Sequence, residues 1–588
     1  MKSPRKQLEE RVSAALVQLL GEAGVAVDPL IRPTQDPRFG DFQSNVAMGL
    51  RKQLGGSPRE VAARLIAALD VADLCAEPEI AGPGFLNFRI LPSFLASQLE
   101  QIQGDDRLGV MLAEQPQRVV VDFSSPNLAK EMHVGHIRST IIGDALARVL
   151  EFCGHDVLRL NHVGDWGTPF GMLIQSIRET RPEVLERPDD LRIDDLESFY
   201  VDAKRRFDSD PEFAVRARKA VVDLQAGDES ALAVWRAFCR ESLRHAHEIY
   251  ERLQVRLTDR GESFYNPVLP GMVEELLQRG LAIESDGAIC FFVGNWTNRD
   301  GKPLPLMVRK SDGGYNYDTT DLAGVRHRIL EEKAVRIIYV TDIRQRQHFD
   351  MVFEGARAAG WAGDEVSLEH VGFGMVLGED RRPFKTRDGG TVKLKALLDE
   401  AVTRSREFLE QNAERMAELT DEERAEIAWV VGHAAVKYAD LSHNVSSDYI
   451  FAWDTMLALE GNTAAYMLYA VARTRSIGRK AGIAFEELPT DLPIRVEHES
   501  EIGLAKTLLE FPGVVEQVAQ QLRPHLLTDY MYALSRAFST FYDRERGVRV
   551  VDVEDEAVRL SRLRLCDLTA RTLKTSLSLL GIDCLEKM

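Results

Sequence analysis

The 588-residue chain is short of cysteine, of long apolar runs and of positive charge. Its six cysteines, at positions 75, 153, 239, 290, 566 and 584, form no CxxC pair. That spacing argues against a zinc site and points to reduced thiols in a cytoplasmic protein. No stretch of about 18 apolar residues occurs, so no transmembrane helix and no membrane partner are expected. The opening MKSPRKQLEERV is basic and then acidic, without the apolar core of a secretory signal. Lysine and arginine number 73 against 92 aspartates and glutamates, a net charge of −19. Such a balance argues against indiscriminate nucleic-acid binding. It leaves room for an RNA held by local basic patches, because a phosphate senses charges mainly within about 8–10 Å.

What is present is a globular composition, 45% hydrophobic and 28% charged. The length predicts about three or four domains. The organising stretch is Ser124 to Gly154, SSPNLAKEMHVGHIRSTIIGDALARVLEFCG. A short β-branched run, Arg118 to Phe123, precedes it and reads as a buried strand. From His136 to Phe152 apolar residues fall at helical spacing, with Gly154 as the stop. HVGH therefore stands at a helix mouth, where unpaired backbone N–H groups and the helix dipole favour an anion. Gly135 leaves the backbone open to a flat ring or a phosphate. His133 and His136 can donate to phosphoryl oxygens, and Lys130 adds a fixed charge upstream. Such a site assists displacement at phosphorus by positioning and charge. An ordinary βα unit with two loop histidines would carry the same pattern.

Residues 1–110 read as a separate α/β unit, with helices over Leu8–Leu20 and Arg59–Leu69. GPGFLNFRI, residues 82–90, reads as a tight turn and a strand, from which Phe85, Asn87 and Phe88 could face RNA. A second strand, 156–160, leads into NHVGDWGTPFG, and two βα units in succession predict a doubly wound nucleotide-binding fold. Residues 176–260 are charged and helical and read as an insertion. Within it, the histidines of HAH at 245–247 point to different helix faces, which disfavours a metal pair. The α/β pattern resumes at Gly287. In YNYDTTDLA, Tyr317 and Asp321 are four apart and share a helix-start face; a cap and a core tyrosine would look the same. A buried strand at 335–340 leads to TDIRQRQHF. Lys385 and Arg387 stand in a glycine-rich loop suited to closure over a polyphosphate, or to a plain solvated turn. Beyond Ala396 only helices are expected. The last of them carries Arg559, Arg562, Arg571 and Lys574, either an RNA face or solvated charges opposite an apolar stripe.

Taken together, SSPNLAKEMHVGHIRSTIIGD, NHVGDWGTPFG, YNYDTTDLA and FKTRDGG resemble the bacterial-type arginyl-tRNA synthetases of class I, over essentially the whole chain. The resemblance implies a doubly wound, Rossmann-like parallel-sheet domain at 111–395 with a helical insertion. It also implies an N-terminal domain at 1–110 for the D-loop corner of tRNA, and an all-helical anticodon-binding domain at 396–588. His133, Gly135 and His136 match the ATP-binding motif of that class. Ser124, Ser125, Asn127, Tyr317, Asp321 and Gln345 match arginine contacts. Carboxylate and guanidinium pair as two forks, a geometry that lysine cannot reproduce. FKTR at 384–387 departs from the KMSKS loop of most class I enzymes, and Lys130 occupies the position thought to supply the missing charge. The implied substrates are L-arginine, ATP with Mg²⁺ and tRNA(Arg), with no tightly bound metal and a monomeric enzyme. A synthetase for glutamine or cysteine, or a non-enzymatic RNA-binding paralogue, are the alternatives. The absence of zinc ligands disfavours cysteine, and the intact HVGH and Tyr317/Asp321 pairs disfavour the paralogue.

Overall fold

The computed structural model describes residues 1–34, 36–384, 392–411, 419–543 and 545–585. At its centre lies a parallel sheet of five strands: β1 (Arg118–Asp122), β2 (Asp156–Val163), β3 (Thr258–Gly261), β4 (Arg336–Asp342) and β5 (Ser367–Phe373). They run in the order β3-β2-β1-β4-β5, every neighbouring pair parallel. This is a doubly wound arrangement whose direction reverses at β1, so a crevice opens beyond the carboxyl ends of β1 and β4. Val119, Val120 and Val121 are wholly buried, as a strand covered on both faces requires.

Helix α1 (Val134–Phe152) follows β1 and is buried on nearly every side. The sheet covers one face and the carboxyl-terminal helices the other. At Gly143 the helix comes so close to β1 that a Cβ there would lie 2.2 Å from Cγ of Phe123. The opposite face is joined to helix α5 (Asp421–Leu441), which follows α2 (Glu229–Arg252), α3 (Tyr317–Leu330) and α4 (Arg346–Ala358) in the chain. There Arg138 pairs with Asp440 at 3.2 Å, both about 1% exposed. The same arginine donates to the carbonyl of Ser447 at 2.9 Å. Burying two charges is tolerable because each has a partner. Further along α5, the buried Lys437 donates to the carbonyls of Gly581 and Leu253, tying the chain's end to the end of α2.

The amino-terminal unit is a four-stranded antiparallel sheet packed on helices Pro4–Leu20 and Pro58–Ala68. Residues 168–252 are mostly helical, ending in α2. The structure departs from the sequence reading in three places. TDRG, read as the tail of the insertion, is β3, an edge strand with no apolar run to mark it. SDGG at 311–314, a sequence that reads as a hairpin turn, instead leads directly into α3, with no second strand after it. Beyond Ala396 one short strand does occur, Tyr449–Ile450, paired with Val376–Leu377. Among the described residues no helix is long and apolar enough to cross a membrane.

Gly143→Ala is expected to destabilise the chain by about 1–3 kcal/mol, the usual penalty for forcing a methyl into a filled core. A lowered denaturant midpoint checks this; an unchanged midpoint contradicts the close packing of α1 on β1.

Candidate active site

The mouth of α1 is closed by its own histidines. His133 is the N-cap, and its Nδ1 accepts from the backbone N–H of Gly135 at 3.0 Å. In return, Nδ1 of His136 accepts from the backbone N–H of His133 at 3.1 Å. The rings lie 4.1 Å apart. Gly135 is required here, since a Cβ would sit 2.8 Å from Cε1 of His133. A ring nitrogen that accepts from an N–H carries no proton, so both protons reside on Nε2. Burial, with the neighbouring imidazole, holds His136 down to about 3. His133 is lowered too, by burial first and then by Lys130. Two neutral imidazoles at a helix mouth thus carry their protons on the ring nitrogens that the cap does not use.

Beside them lies a cleft of about 510 Å³. Gly135 and His136 line it together with Ser124, Ser125, Tyr317, Asp321 and Gln345. Gly135 and His136 of the matched phosphate site therefore share one cavity with most of the residues matched to arginine, while His133 is not among its lining residues. Asn127 does not reach it; it is exposed, and its carboxamide caps the backbone N–H of Ala129 at 2.9 Å.

Among the cleft residues not singled out from the sequence are Asp122, His162, Glu262 and His348. They set the electrostatics. Asp122, at the end of β1, pairs at 2.6 Å with Arg328, which is wholly buried under the ring of Tyr339. Asp321 pairs at 2.6 Å with Nε2 of His348. Burial alone would raise the Asp321 carboxyl; the His348 hydrogen bond and charge hold it below the usual range. Burial likewise opposes the charge on His348, but Asp318 and Asp321 push it up to about 9. Burial and the charges of Asp321 and Asp165 push Glu262 up to about 8. Among the described residues Asp122, Asp321 and Asp342 each have a cationic partner, and Glu262 has none. Tyr317 stands at its rim, 61% exposed, edge-on to His348.

The cationic candidate Lys130 sits elsewhere. Lys130 is exposed and lies over the ring of Tyr200, on the helix Leu196–Ser209, at 4.8 Å. Lys385 and Arg387 lie outside the described residues. Both flanks of their loop are anchored near α1. Phe384 donates to the carbonyl of Val376 at 3.1 Å, while Val134 donates to Val392 and Leu394 to Met132, each at 3.0 Å. Lys393 reaches Glu131 at 2.8 Å and Asp195 at 3.1 Å.

The residues read as an RNA face divide. Phe85 is partly exposed and lines a cavity with Arg32, Phe39 and Gln43. Asn87 is 5% exposed and accepts from Gln43 at 2.7 Å, so its carboxamide is spent within the sheet. On α6 (Glu556–Leu579), Arg562 pairs with Glu501 at 2.8 Å. Arg571 donates to the carbonyls of Gln103 and Asp105, each at 2.6 Å. Those two arginines fasten α6 inside the chain, which a helix buried on several faces demands of its cations. Arg559 is 3.9 Å from Glu556, and Lys574 is exposed. Among the described residues no cluster of three or more His, Cys, Asp or Glu could hold a metal.

The depressed histidines fix a sign. His136, at about 3 against an ordinary 6.5, binds fewer protons folded than unfolded. Its contribution to stability is complete above pH 6.5 and is lost as the pH falls towards 3. His348, at about 9, does the reverse: its contribution is present below 6.5 and is lost as the pH rises through 9. His136→Asn should flatten the acid limb of a melting-temperature profile, and His348→Gln the alkaline limb. Unaltered limbs contradict these protonation states.

Comparisons with known proteins bear on the same residues. Residues 98–453 match the family model for tRNA synthetases class I (R), catalytic domain. Residues 467–588 match the DALR anticodon binding domain, and residues 6–90 the arginyl tRNA synthetase N terminal domain. The chain is 53% identical over 593 residues to an arginine–tRNA ligase of a Nostoc species, covering 100% of both. It is 54% identical over 590 residues to that of Synechococcus elongatus, again over 100% of both. Among solved structures it is similar to the arginyl-tRNA synthetase of Plasmodium falciparum, at 30% identity and a TM-score of 0.86, covering 100% of each chain. It is also similar to that of Thermus thermophilus, at 25% identity and a TM-score of 0.80, covering 99% of this chain and 100% of that one. With its catalytic, anticodon-binding and amino-terminal models all matched, and relatives aligned from end to end, the chain belongs to the class I arginyl-tRNA synthetases.

Proposed function

We infer that the chain joins L-arginine to ATP in the cleft between β1 and β4, and then esterifies the arginyl group to tRNA(Arg). In the first step the arginine carboxylate attacks the α-phosphorus of ATP, and the bond to pyrophosphate breaks. In the second, a ribose hydroxyl of the terminal adenosine attacks the carbonyl carbon of the adenylate and AMP leaves. One observation carries the reading. His136 of the capped helix mouth and the carboxyl groups of Asp122, Glu262 and Asp321 line the same cavity, so one amino acid can reach both.

Each part has a role suited to its chemistry. The neutral His136 donates to phosphoryl oxygens as charge builds on them, with His133 beside it; alignment and charge neutralisation do the rest. Asp321 and Glu262 face the guanidinium, Tyr317 covers it, and Ser125 and Gln345 lie along the amino-acid backbone. ATP enters as its Mg²⁺ complex, the ion riding on the phosphates. Lys130, after leaving Tyr200, and Lys385 and Arg387, from a loop anchored at both flanks, supply further positive charge. The helical carboxyl-terminal domain, 396–588, takes the anticodon. The amino-terminal domain, 1–110, takes the D-loop corner through the face that includes Phe85. Unpaired bases at both places can be splayed and stacked. A monomeric enzyme is part of this proposal.

ATP–pyrophosphate exchange, with and without tRNA, tests the reading. It should depend on arginine and on no other amino acid. Asp321→Ala should weaken arginine by about 2–5 kcal/mol, as for a buried charge that loses its partner. His136→Ala should slow activation far more than it weakens arginine. Exchange driven by another amino acid, or an unchanged arginine affinity in Asp321→Ala, overturns it.

Glu262 adds a proton linkage. At about 8 it is mostly protonated at pH 7, and pairing with a guanidinium ionises it. Arginine affinity should therefore rise with pH up to about 8, with proton uptake by buffer seen in calorimetry at pH 7. Glu262→Gln should abolish both effects; their persistence would move the proton elsewhere.

A further inference from the structure

Two adjacent residues on the cleft floor hold a backbone shape that serine seldom adopts. Ser124 has φ +70° and Ser125 φ +45°. Both are left-handed, which places Cβ against the following carbonyl. Ser125 also precedes Pro126, whose ring restricts its backbone further. Such a turn persists only where its surroundings over-determine it.

Most of the restraints come from the sheet and α1. The N–H of Ser124 donates to Oγ of Ser139 at 2.8 Å. The N–H of Ser125 donates to Oδ1 of Asn161 at 2.9 Å, and its hydroxyl to Asp122 at 2.9 Å. One restraint comes from outside. The hydroxyl of Tyr250, in the last turn of α2, lies 2.8 Å from Oγ of Ser124 and accepts from Nδ2 of Asn161 at 3.3 Å. Tyr250 is 3% exposed. Its Asn161 partner is held in turn by Asp259, at 2.7 Å, and Asp259 by His247 of the same helix, at 2.6 Å.

A phenyl ring would fill the space that Tyr250 occupies. A buried hydroxyl is costly unless both its hydrogen bonds are made, and both partners here belong to, or hold, the left-handed turn. Tyr250 and Asn161 therefore close a bracket around it, Asn161 from Ser125 and Tyr250 from Ser124.

We propose that Tyr250 is a positioning residue for the amino-acid substrate. Through Ser124 and Asn161 it holds the serine turn, and thereby the placement of Ser125 and Asp122 in the pocket, without touching substrate itself. The proposal rests on the reading of this cleft as the arginine site.

The test is exchange kinetics on the full chain. Tyr250→Phe should raise the arginine KM about three- to tenfold, the size of one net hydrogen bond, and leave the ATP KM within about twofold. Ser124→Gly relieves the left-handed strain, because glycine adopts that φ freely. In a Ser124→Gly background, Tyr250→Phe should therefore move the arginine KM by less than about twofold. Should Tyr250→Phe misfold, the comparison of Ser124→Ala with Ser124→Gly stands in: both lose the bond, but only alanine keeps the strain, so alanine must raise the arginine KM more. An arginine KM that does not move, ATP and arginine KM rising together, the same loss in the glycine background, or glycine no better than alanine would each overturn the proposal. Absence of arginine-dependent exchange in the unaltered chain would instead sink the reading of the cleft.

Discussion

The site depends on how the first turn of α1 satisfies its own backbone. A helix begins with N–H groups that have no partner, and most helices use a serine, threonine or aspartate to cap them. Here two imidazoles do so, each accepting through Nδ1. The choice fixes the tautomer of both rings, and with it the direction in which their protons point. A hydroxyl or carboxylate cap would satisfy the helix equally well but would present no N–H donors to an anion. Burial keeps His136 neutral, so it acts as a hydrogen-bond donor rather than as a fixed charge. Gly135 is part of the same device, because any side chain there would strike the capping ring.

The second half of the cleft is built on an imbalance of charge. Arg328 answers Asp122 and His348 answers Asp321, but among the described residues Glu262 has no ion pair, and it rises to about 8. A planar cation entering this pocket lets Glu262 ionise. A neutral side chain of similar length would leave a protonated acid facing it and Asp321 unshared. Selectivity then follows from what the wrong ligand leaves unpaired. The scaffold under both halves is α1, whose buried Arg138 joins it to α5 and whose Gly143 lets it lie against β1.

Much of this was legible in the sequence, for identifiable reasons. β1 and β2 are apolar enough to read as buried strands, and HVGH sits where the helical period begins. β3 was not legible, because four polar residues at a sheet edge carry no periodic signal. Asp122 could have been found, as an acid at the carboxyl end of an otherwise apolar strand. His348 could have been found too, three residues beyond Gln345 near the start of α4. Glu262 could not, since its importance comes from Asp321 and Asp165, which only folding brings near. Two cations of α6, Arg562 and Arg571, were ambiguous in the sequence for a related reason. Charge on a helix face says that a partner is wanted, not whether it is RNA or the chain itself. Arg562 and Arg571 found theirs in Glu501 and in the carbonyls of Gln103 and Asp105.

The central claim is that one ligand spans both halves of this cleft. A crystal structure with a non-hydrolysable arginyl-adenylate analogue tests it most directly. The account predicts the guanidinium between Asp321 and Glu262 and the bridging group within hydrogen-bond reach of Nε2 of His136. An analogue bound with either end on another surface, or with the guanidinium away from both carboxylates, contradicts it.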